Sequence, residues 1–504
     1  MRLTLAIASG ILISPSLLLA ETYAEKSLQQ KNELILPQRV TVGPTDSFQS
    51  VLSPDGTTLY HTSSSNLAIQ VFRQKVGLGF SQPLFEEKSD AKDPALSPDG
   101  NKMALTSFKK DARGDICIVE VSSKKMECLT GRSTEDRSPF WVGDGFIGFL
   151  TRENIEEAFK LSIVKAQSTA EKASHALLQG EISDPTASSE IQGARWLAYT
   201  RLKDQRSVIE IRKLNSQATG FQVGEPLSIE IDLPGFSSFA QFDPSGTYLY
   251  FGQYTSDTNN DLQVDGRDKS AIYRVRVAEV LAGKKDLFPE PLTSIEANCN
   301  YPAPTPHGLF MTCARLDASN DGSLEIYRLP TDGMIPDHWD EKKLLRGIET
   351  SRTYSDRILF LYTLSSRYPA YRTKVQLEKV LNNYLLDDQL MAAIFYARKL
   401  DQMDGKDGFY KLVEISARAR SKRRQEAKGA PSAAFRSYIE QEVGNVRRLR
   451  ALQPQFARIV EAELKQLVGD GGAAKRVAID IKFDQVKQPL ALFQFARVLD
   501  AAQE

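Results

Sequence analysis

Short apolar segments alternate with tight-turn motifs over the first two thirds of the chain. Residues 51–60 read VLSPDGTTLY, residues 95–105 read ALSPDGNKMAL, and residues 240–251 read AQFDPSGTYLYF. In each motif proline presets the backbone at the first central turn position, and glycine supplies the positive φ that the turn requires. The pattern therefore predicts β-hairpins that recur along this part of the chain.

Each predicted hairpin belongs to a longer repeated unit. A third apolar segment follows the hairpin, as in NLAIQVFR or DICIVEV, and a short fourth segment such as MECLTG often ends the unit. Degenerate copies at 140–150, 188–200 and 303–313 keep the turn glycine. This gives about six units of roughly 42–60 residues, and four short strands at that interval are typical of a β-propeller. We expect an all-β six-bladed propeller over residues 40–348.

The second unit resembles the repeat of the TolB-type β-propeller family. It reads DPALSPDGNKMALTSF, then DICIVEVSSKKMECLTG, and RSPFW opens the next unit. That family is built around SPDG turns, a third strand that begins Asp-Ile, and a terminal Leu-Thr. The resemblance implies the propeller fold over about 300 residues. We expect no counterpart of the α/β domain that precedes the propeller in TolB itself, so TolB's own partners are not expected here.

The apolar spacing changes at residue 349. Segments such as KVQLEKVLNNYLL, QLMAAIFYARKL and PQFARIVEAELKQLV have apolar residues at i, i+3 and i+4, which is typical of amphipathic helices. Glycine-containing breakers at 404–408, 429–431 and 469–472 separate such segments. We expect an all-α domain of about six to eight helices over 349–504. The segment YLLDDQLMAAIFYARKLDQM resembles a tetratricopeptide-type helix junction, which implies a helical-repeat-like domain.

The beginning of the chain predicts export. Residues 1–24 contain one arginine, an apolar run over 3–19 and then small residues, as in a secretory signal peptide that is cleaved after Ala24 or Ala20. A retained membrane anchor is the alternative, although the run is short and a proline interrupts it. Residues 25–39 are then a linker. We expect no transmembrane span after cleavage, and a location in the periplasm of a Gram-negative host or outside the cell.

The four cysteines fit an exported chain. Cys117 and Cys128 flank one predicted turn, and Cys299 and Cys313 flank another. An even number of cysteines in an exported protein indicates disulfides, and the local spacing favours pairing within each of these two pairs. Four buried free thiols are the alternative. The absence of a CxxC motif or a Cys/His cluster argues against a zinc site.

Composition and charge narrow the class of protein. Hydrophobic residues make up 41% and charged residues 25% of the 504 residues, which excludes a mostly disordered chain and a polytopic membrane protein. The chain has 64 basic and 64 acidic side chains, so a general nucleic-acid binder is not expected. Residues 349–504 contain 27 basic and 19 acidic side chains, a net charge of +8. Residues 1–348 contain 37 basic and 45 acidic side chains, a net charge of −8. An acidic propeller and a basic helical domain can dock on each other or serve different partners.

The motif DTNNDLQVDGRD at 257–268 is the sharpest candidate for a metal site. Six oxygen-bearing residues occupy the ligand positions of a calcium loop: Asp257, Asn259, Asp261, Gln263, Asp265 and Asp268. The motif resembles an EF-hand-type loop of the dockerin variety, but Leu262 replaces the usual glycine and strands flank the loop. We expect a structural Ca²⁺ site in an insertion of blade 5. A solvated acidic turn is the alternative.

Motifs for catalysis are missing from the sequence. It contains no GxSxG nucleophile elbow, no P-loop and no dinucleotide fingerprint, and its four histidines lack metal-ligand spacing. We therefore expect no enzymatic activity and assign no catalytic residue.

The architecture predicts a binding role. We expect an exported binding or scaffold protein that uses propeller and helical surfaces for protein–protein interaction in an envelope-associated assembly. Its partners would be proteins of the cell envelope, with a peptidoglycan or glycan ligand left open. One alternative is a carbohydrate- or peptide-processing enzyme with its site in the propeller channel, which predicts uncompensated carboxylates at one channel mouth. A calcium-dependent binder is a further alternative.

Overall fold

The computed structural model describes residues 34–486 and residue 491, apart from short gaps. Within that range the structure does not describe residues 44, 66–67, 78–79, 86–89, 132–133, 168–173, 204–205, 218–219, 230, 232, 260, 262, 285–286, 316–322, 331–332 and 427–428. The expected signal peptide 1–24 lies outside the described residues. The same holds for the apolar segment at 492–502.

Six antiparallel sheets of four strands each make up the first part of the described chain. The strands are β1 (Gln38–Arg39), β2 (Ser47–Leu52), β3 (Thr58–Ser65), β4 (Ala68–Lys75), β5 (Ser81–Pro83), β6 (Ala91–Leu96), β7 (Lys102–Ser107), β8 (Asp115–Glu120), β9 (Met126–Cys128), β10 (Glu135–Val142), β11 (Phe146–Arg152), β12 (Lys160–Lys165), β13 (His175–Gln179), β14 (Ile182–Ala187), β15 (Arg195–Lys203), β16 (Arg206–Gln217), β17 (Gly220–Ile229), β18 (Phe236–Phe242), β19 (Tyr248–Tyr254), β20 (Ala271–Arg276), β21 (Glu290–Pro291), β22 (Cys299–Thr305), β23 (Gly308–Ala314) and β24 (Leu324–Leu329). Blades 1 to 5 are β2–β5, β6–β9, β10–β13, β14–β17 and β18–β21, and blade 6 is β22, β23, β24 and β1.

The six sheets are arranged in a closed ring. The first strands of neighbouring blades contact one another in the order β2, β6, β10, β14, β18, β22, and β22 contacts β2. The first strands therefore enclose the central channel, and the remaining strands of each blade lie outside them. This arrangement confirms the predicted six-bladed β-propeller.

Blade 6 is completed by the beginning of the described chain. Strand β1 pairs with the outer strand β24, so Gln38 and Arg39 belong to the propeller, although their sequence predicts a linker. Arg39 and Thr41 bind opposite oxygens of Glu325, which is fully buried. Only three strands of blade 6 come from the end of the propeller sequence, and this segment supplies the fourth and closes the ring.

The repeated turns have the chemistry that their sequence predicts. Gly56 and Gly246 adopt φ values of 75° and 72°. In the first turn the Ser53 hydroxyl accepts the Thr58 N–H at 2.9 Å. In the DPSG turn, Asp243 takes the serine's position and accepts the Tyr248 N–H at 2.8 Å. Serine and aspartate are interchangeable at this position because each offers an oxygen to the same backbone amide.

Both predicted disulfides are present. Cys117 is bonded to Cys128 and Cys299 to Cys313, and in each pair the two residues lie directly opposite each other on neighbouring strands. The described residues contain no free cysteine. Each bond therefore links strands of a single blade.

Helices follow the propeller. A short helix α1 (Val277–Leu281) lies within blade 5, and eight more are seen in the described residues after blade 6: α2 (Glu341–Thr350), α3 (Tyr354–Arg367), α4 (Lys374–Leu386), α5 (Leu390–Asp404), α6 (Phe409–Gln425), α7 (Ala433–Leu449), α8 (Pro454–Leu467) and α9 (Gly471–Ile479). Short 3₁₀ turns occur at Ile295–Ala297, Pro369–Tyr371 and Phe483–Gln485. Consecutive helices from α2 to α9 contact each other. The helical region begins at Glu341, inside the range that was expected to be propeller.

The helical region and the propeller share one hydrophobic core. The Tyr362 ring of α3 lies 6.5 Å from Tyr273 of β20, 5.7 Å from Phe288 and 6.4 Å from Tyr396 of α5. The same cluster of buried residues continues from blades 4 and 5 into helices α3 to α8. Such a shared core holds the helical region rigidly against the edge of the propeller.

Candidate functional site

An open groove of 580 Å³ lies between blades 5 and 6, at the end where their first hairpin turns lie. Its lining combines prolines, tyrosines and charged side chains: Asp243, Pro244, Ser245, Thr247, Tyr248, Tyr250, Arg274, Pro304, Thr305, Pro306, His307, Gly308, Leu309, Arg328, Pro330 and Asp337. Its volume lies in the range of about 300–1,000 Å³ that is typical of ligand clefts, while its lining is more polar than is usual for them.

Two tyrosines form part of the groove lining. Tyr248 and Tyr250 face Arg276 and Arg274, respectively, across the β19–β20 pair. The Arg274 guanidinium lies 4.3 Å from the centre of the Tyr248 ring, and the Arg276 guanidinium lies 5.2 Å from it. The antiparallel register thus places two cations against one aromatic ring, which fixes the ring's orientation.

Blade 6 supplies the opposite side of the groove. Arg328 donates from Nε and Nη2 to the His307 carbonyl, at 3.0 and 2.6 Å. The His307 ring packs on the turn of blade 1, where a Cβ on Gly56 would lie only 2.6 Å from it. Glycine at position 56 is therefore needed both for its positive φ and for this close approach.

Four charged residues join the groove to the helical region. Arg274 is only 3% exposed and pairs with Glu290 at 2.8 Å and with Asp337 at 2.7 Å. Arg367 of helix α3 pairs with the same two carboxylates at 2.6 and 3.0 Å. Burial opposes the charge on Arg274, but Glu290 and Asp337 outweigh it and raise the pKa of Arg274. The groove lining and helix α3 are thereby fixed to each other.

The central channel is lined by a repeated irregularity. Each of the six first strands contains one residue with φ between 47° and 57°: Gln49, Asp93, Ser138, Asp184, Phe239 and Tyr301. Each of them lies where the register of its strand shifts, which is the position of a β-bulge. The propeller therefore has six equivalent bulges around its channel.

Two of the bulge residues are aspartates that link neighbouring blades. Asp93 accepts the Ser138 N–H at 3.3 Å, and Asp184 accepts the Phe239 N–H at 3.4 Å. Between the next two blades, the rings of Phe239 and Tyr301 lie 3.8 Å apart. These contacts connect successive bulges across the seams between blades 2 and 3, 4 and 5, and 5 and 6.

Charges in the channel influence one another. The pKa of Asp184 is raised to about 6, chiefly by burial. The Phe239 N–H, Ser183 and Arg137 lower it, and the charge of Asp93 raises it. Burial lowers the pKa of Arg137. The channel thus contains two carboxylates within electrostatic reach of each other. Both accept hydrogen bonds and lie near one arginine, so they differ from the uncompensated cluster that the enzyme alternative predicts.

The predicted calcium loop follows β19 in blade 5. Asp268 is 4% exposed and closes the loop. One of its oxygens accepts the N–H groups of Thr258 at 2.6 Å and Asn259 at 3.2 Å, and the other accepts the Asp265 N–H at 2.9 Å. The conformation of the loop is therefore supported by backbone amides that converge on one buried carboxylate.

The other expected ligands lie nearer the surface. The Asp261 N–H donates to Asp257 at 3.1 Å and to Asn259 at 2.8 Å, and Gln263 donates its own N–H to Asp261 at 3.0 Å. Arg267 pairs with Asp261 at 2.8 Å and with Asp265 at 2.7 Å.

The oxygen chemistry of the loop suits Ca²⁺, but its arrangement does not form a ready site. In the part of the chain that is described, no three His, Cys, Asp or Glu side chains are grouped so that they could hold a metal ion. The Arg267 guanidinium occupies the position between the carboxylates where a cation would compete with it. Leu262 lies outside the described residues. The calcium site stays a prediction.

The groove and the bulge ring were not found from the sequence. A signal for the bulges was present: Asp93, Ser138, Asp184 and Tyr301 each precede a proline. Proline within a strand pattern is characteristic of a bulge because it cannot donate to the sheet ladder. The groove has no comparable signal, since its residues come from blades that are distant in sequence.

Comparisons with known proteins find remote similarities to solved structures. No family model matches the chain, and no curated protein matches it. Among solved structures, a TolB from Agrobacterium tumefaciens is 14% identical with a TM-score of 0.37, and covers 57% of this chain and 92% of its own. TolB from Acinetobacter baumannii is 11% identical with a TM-score of 0.33, covering 65% and 72%. An oligogalacturonate lyase in complex with manganese is 11% identical with a TM-score of 0.36, covering 59% and 79%.

These values identify no function. The six four-stranded sheets by themselves define the class: a six-bladed β-propeller protein with a helical region joined to it. Within the described residues, no helix has the length and apolar character needed to cross a membrane.

Proposed function

We propose that this chain is an exported binding or scaffold protein of the TolB-like propeller type, which acts in an envelope-associated assembly through protein–protein contacts. The observation that carries the proposal is the groove between blades 5 and 6, whose lining is fixed to helix α3 by Arg274, Glu290, Arg367 and Asp337. A site that is already ordered loses little entropy when a partner binds, which favours recognition.

The helical region offers a second surface. Much of its positive charge is used internally, since Arg420 and Arg424 pair with Asp388 and other arginines bind buried glutamates. Its exposed apolar side chains include Val375 and Met403, which are 60% and 53% exposed. Partners are therefore expected to make apolar contacts with the helices. We infer that the helical region binds protein partners as a tetratricopeptide-like domain would.

Export is supported by the two disulfides, because such bonds persist in oxidising compartments. We infer a location in the periplasm, with secretion as the alternative, and partners among the proteins of the cell envelope. A peptidoglycan or glycan ligand would be a second class of partner.

Crosslinking in the native envelope tests this function. The bait is the whole chain, because the propeller and the helices share a core and neither part has been shown to fold alone. Thr247→Arg alters the groove, Met403→Arg alters the helical surface, and Arg113→Glu on blade 2 serves as a control. We expect a defined partner to crosslink to the parent chain and to the control, and to be lost from one surface variant. Identical capture by all four baits, or none by any, would contradict the proposal.

The channel supports a second candidate function, that of a carbohydrate- or peptide-processing enzyme. The observations that favour it are the position of Asp184 within electrostatic reach of Asp93 and its raised pKa, since a carboxyl group with a pKa of about 6 can exchange a proton near neutral pH. Activity against glycan or peptide substrates that disappears in both Asp184→Asn and Asp93→Asn would support an enzyme. Activity that both variants retain would show that these two carboxylates are not catalytic groups.

A further inference from the structure

The charges around the groove between blades 5 and 6 do not cancel. Arg274 and Arg367 are balanced by Glu290 and Asp337 within the buried network. Asp243 adds a third negative charge to the groove, and its carboxylate accepts the Tyr248 N–H.

Two further arginines lie at the groove: Arg328 is part of its lining, and Arg276 lies next to the lining residue Tyr248. Arg276 is exposed beside Tyr248, and Arg328 holds the His307 carbonyl. Among the described residues, neither arginine forms an ion pair with a carboxylate. The four arginines at the groove face three carboxylates, those of Glu290, Asp337 and Asp243, so one positive charge is in excess.

The lining also selects for a ligand that accepts hydrogen bonds. Pro244, Pro304, Pro306 and Pro330 have no N–H, so they offer a ligand flat apolar surface and no backbone donor. The side-chain donors of the lining include the Arg328 guanidinium and the Tyr248 hydroxyl. An extended proline-rich segment fits this surface, because it offers carbonyl acceptors and pyrrolidine rings that pack against aromatic side chains.

We infer that this groove binds an extended, proline-rich and acidic segment of a partner protein, with Arg276 and Arg328 pairing with its carboxylates. The inference rests on the proposed binding function and names the chemistry of the partner. Tyr248 provides the apolar contact, and the fixed position of its ring between two arginines keeps the surface ready for the segment.

The test uses the whole chain and three fluorescent peptides of about nine residues, in which proline alternates with glutamate, glutamine or lysine. Fluorescence anisotropy measures the affinities. We expect the glutamate peptide to bind about fivefold more tightly than the glutamine peptide, and the lysine peptide to bind most weakly.

Variants assign this preference to the groove. Arg328→Gln and Arg276→Gln should each reduce the preference for glutamate over glutamine about threefold, while Arg328→Lys retains most of it. Tyr248→Leu should weaken the glutamate and glutamine peptides alike, and Arg73→Gln on blade 1 is the matched control. Circular dichroism establishes that each variant is folded.

Two results would overturn the inference: equal binding of the glutamate and glutamine peptides, or a preference that neither arginine variant changes. Crosslinking separates this failure from failure of the proposed function. A partner that still crosslinks through the helical surface would leave the binding function intact and remove only the assignment to the groove.

Discussion

The propeller and the helical region hold their buried and half-buried carboxylates in different ways. In the propeller, Asp93, Asp184 and Asp268 accept backbone N–H groups from neighbouring bulges or from their own loop. In the helical region, Glu414 binds Arg398, Lys411 and Arg418, and Glu461 binds Arg447 and Arg450. The amides inside a helix are already bonded within it, whereas bulges and loops leave amides available.

This difference indicates which solution conditions should affect the stability of each part of the molecule. A carboxylate held by backbone amides depends on those hydrogen bonds and on its own protonation, so pH should affect the propeller. A carboxylate held by long, partly exposed side chains depends on ion pairing, so salt should affect the helices. The junction between them, around Glu290, is both buried and ionic and should be the most sensitive point.

The largest effect is expected at that junction. Glu290→Gln would leave the buried Arg274 and the largely buried Arg367 with Asp337 alone. Removing one member of a buried ionic network costs about 3 kcal/mol, and denaturant unfolding should show a loss of that size. Glu153→Gln, which removes a partner of the exposed pair with Lys160, is the control and should change stability little. A loss at Glu290 no greater than that of the control would show that the network does not hold the two parts together.

The channel should respond to pH. Asp184 has a folded pKa of about 6 against an ordinary value of 3.8, so the folded state binds its proton more tightly than the unfolded state does. Its contribution to stability is complete below about pH 4 and is lost as the pH rises through about 6. Asp184→Asn should therefore raise the free energy of unfolding at about pH 7.5 by about 2 kcal/mol. When the pH is lowered, the variant should gain less stability than the parent chain does.

The matched control for this prediction is Asp144→Asn, which changes an exposed turn residue of blade 3. Denaturant unfolding at several pH values measures each chain. The channel explanation would be wrong if Asp184→Asn were less stable than the parent chain at about pH 7.5, or had an unchanged pH profile.

Calcium should have a smaller effect. If Asp257, Asn259, Asp261 and Asp265 take up Ca²⁺, then calcium at about ten times its dissociation constant should stabilise the chain by about 1.4 kcal/mol relative to chelator. Asp257→Ala combined with Asp261→Ala should abolish that response. Arg267→Gln should increase it, because the competing guanidinium is removed.

Thermal unfolding with calcium, magnesium or chelator provides the measurement, and magnesium serves as the control ion. No response to calcium in either the parent chain or Arg267→Gln would establish the loop as an acidic turn held by Asp268 and Arg267.

Local patterns in the sequence predicted a large part of this fold. The SPDG and DPSG turns located the hairpins, and the pairs Cys117–Cys128 and Cys299–Cys313 were confirmed because each joins adjacent strands. Helix α4 occupies the residues that its apolar spacing predicted. These features depend on residues that are close together in the chain, where turn chemistry and periodicity act directly.

Features that depend on distant residues were missed. The strand at Gln38–Arg39 is defined by its pairing with β24, and nothing in its own two residues predicts a strand. Helix α2 was assigned to the propeller because its charged sequence EKKLLRGIET has few apolar positions. Trp339 lies just before helix α2, and it is 6% exposed because it stacks on Phe360 of helix α3, a contact that its own sequence neighbourhood does not predict. The groove likewise brings together residues that are far apart in the sequence, since Tyr248 and Arg328 lie in different blades.

The smallest predicted effect tests the salt sensitivity of the helical region. Arg447 is 58% exposed and pairs with the buried Glu461 at 2.8 Å, and Arg450 binds the other oxygen of that carboxylate. Arg447→Gln should cost only about 0.5 kcal/mol at low salt, because Arg450 remains, and the loss should shrink as salt screens the pair. The effect of Asp184→Asn should not change over the same range of salt, since its bonds to backbone amides and its burial are not screened in this way. Denaturant unfolding of both variants at low and high sodium chloride makes the comparison. Equal salt dependence of the two would mean that the propeller and the helices do not differ in how they hold their carboxylates.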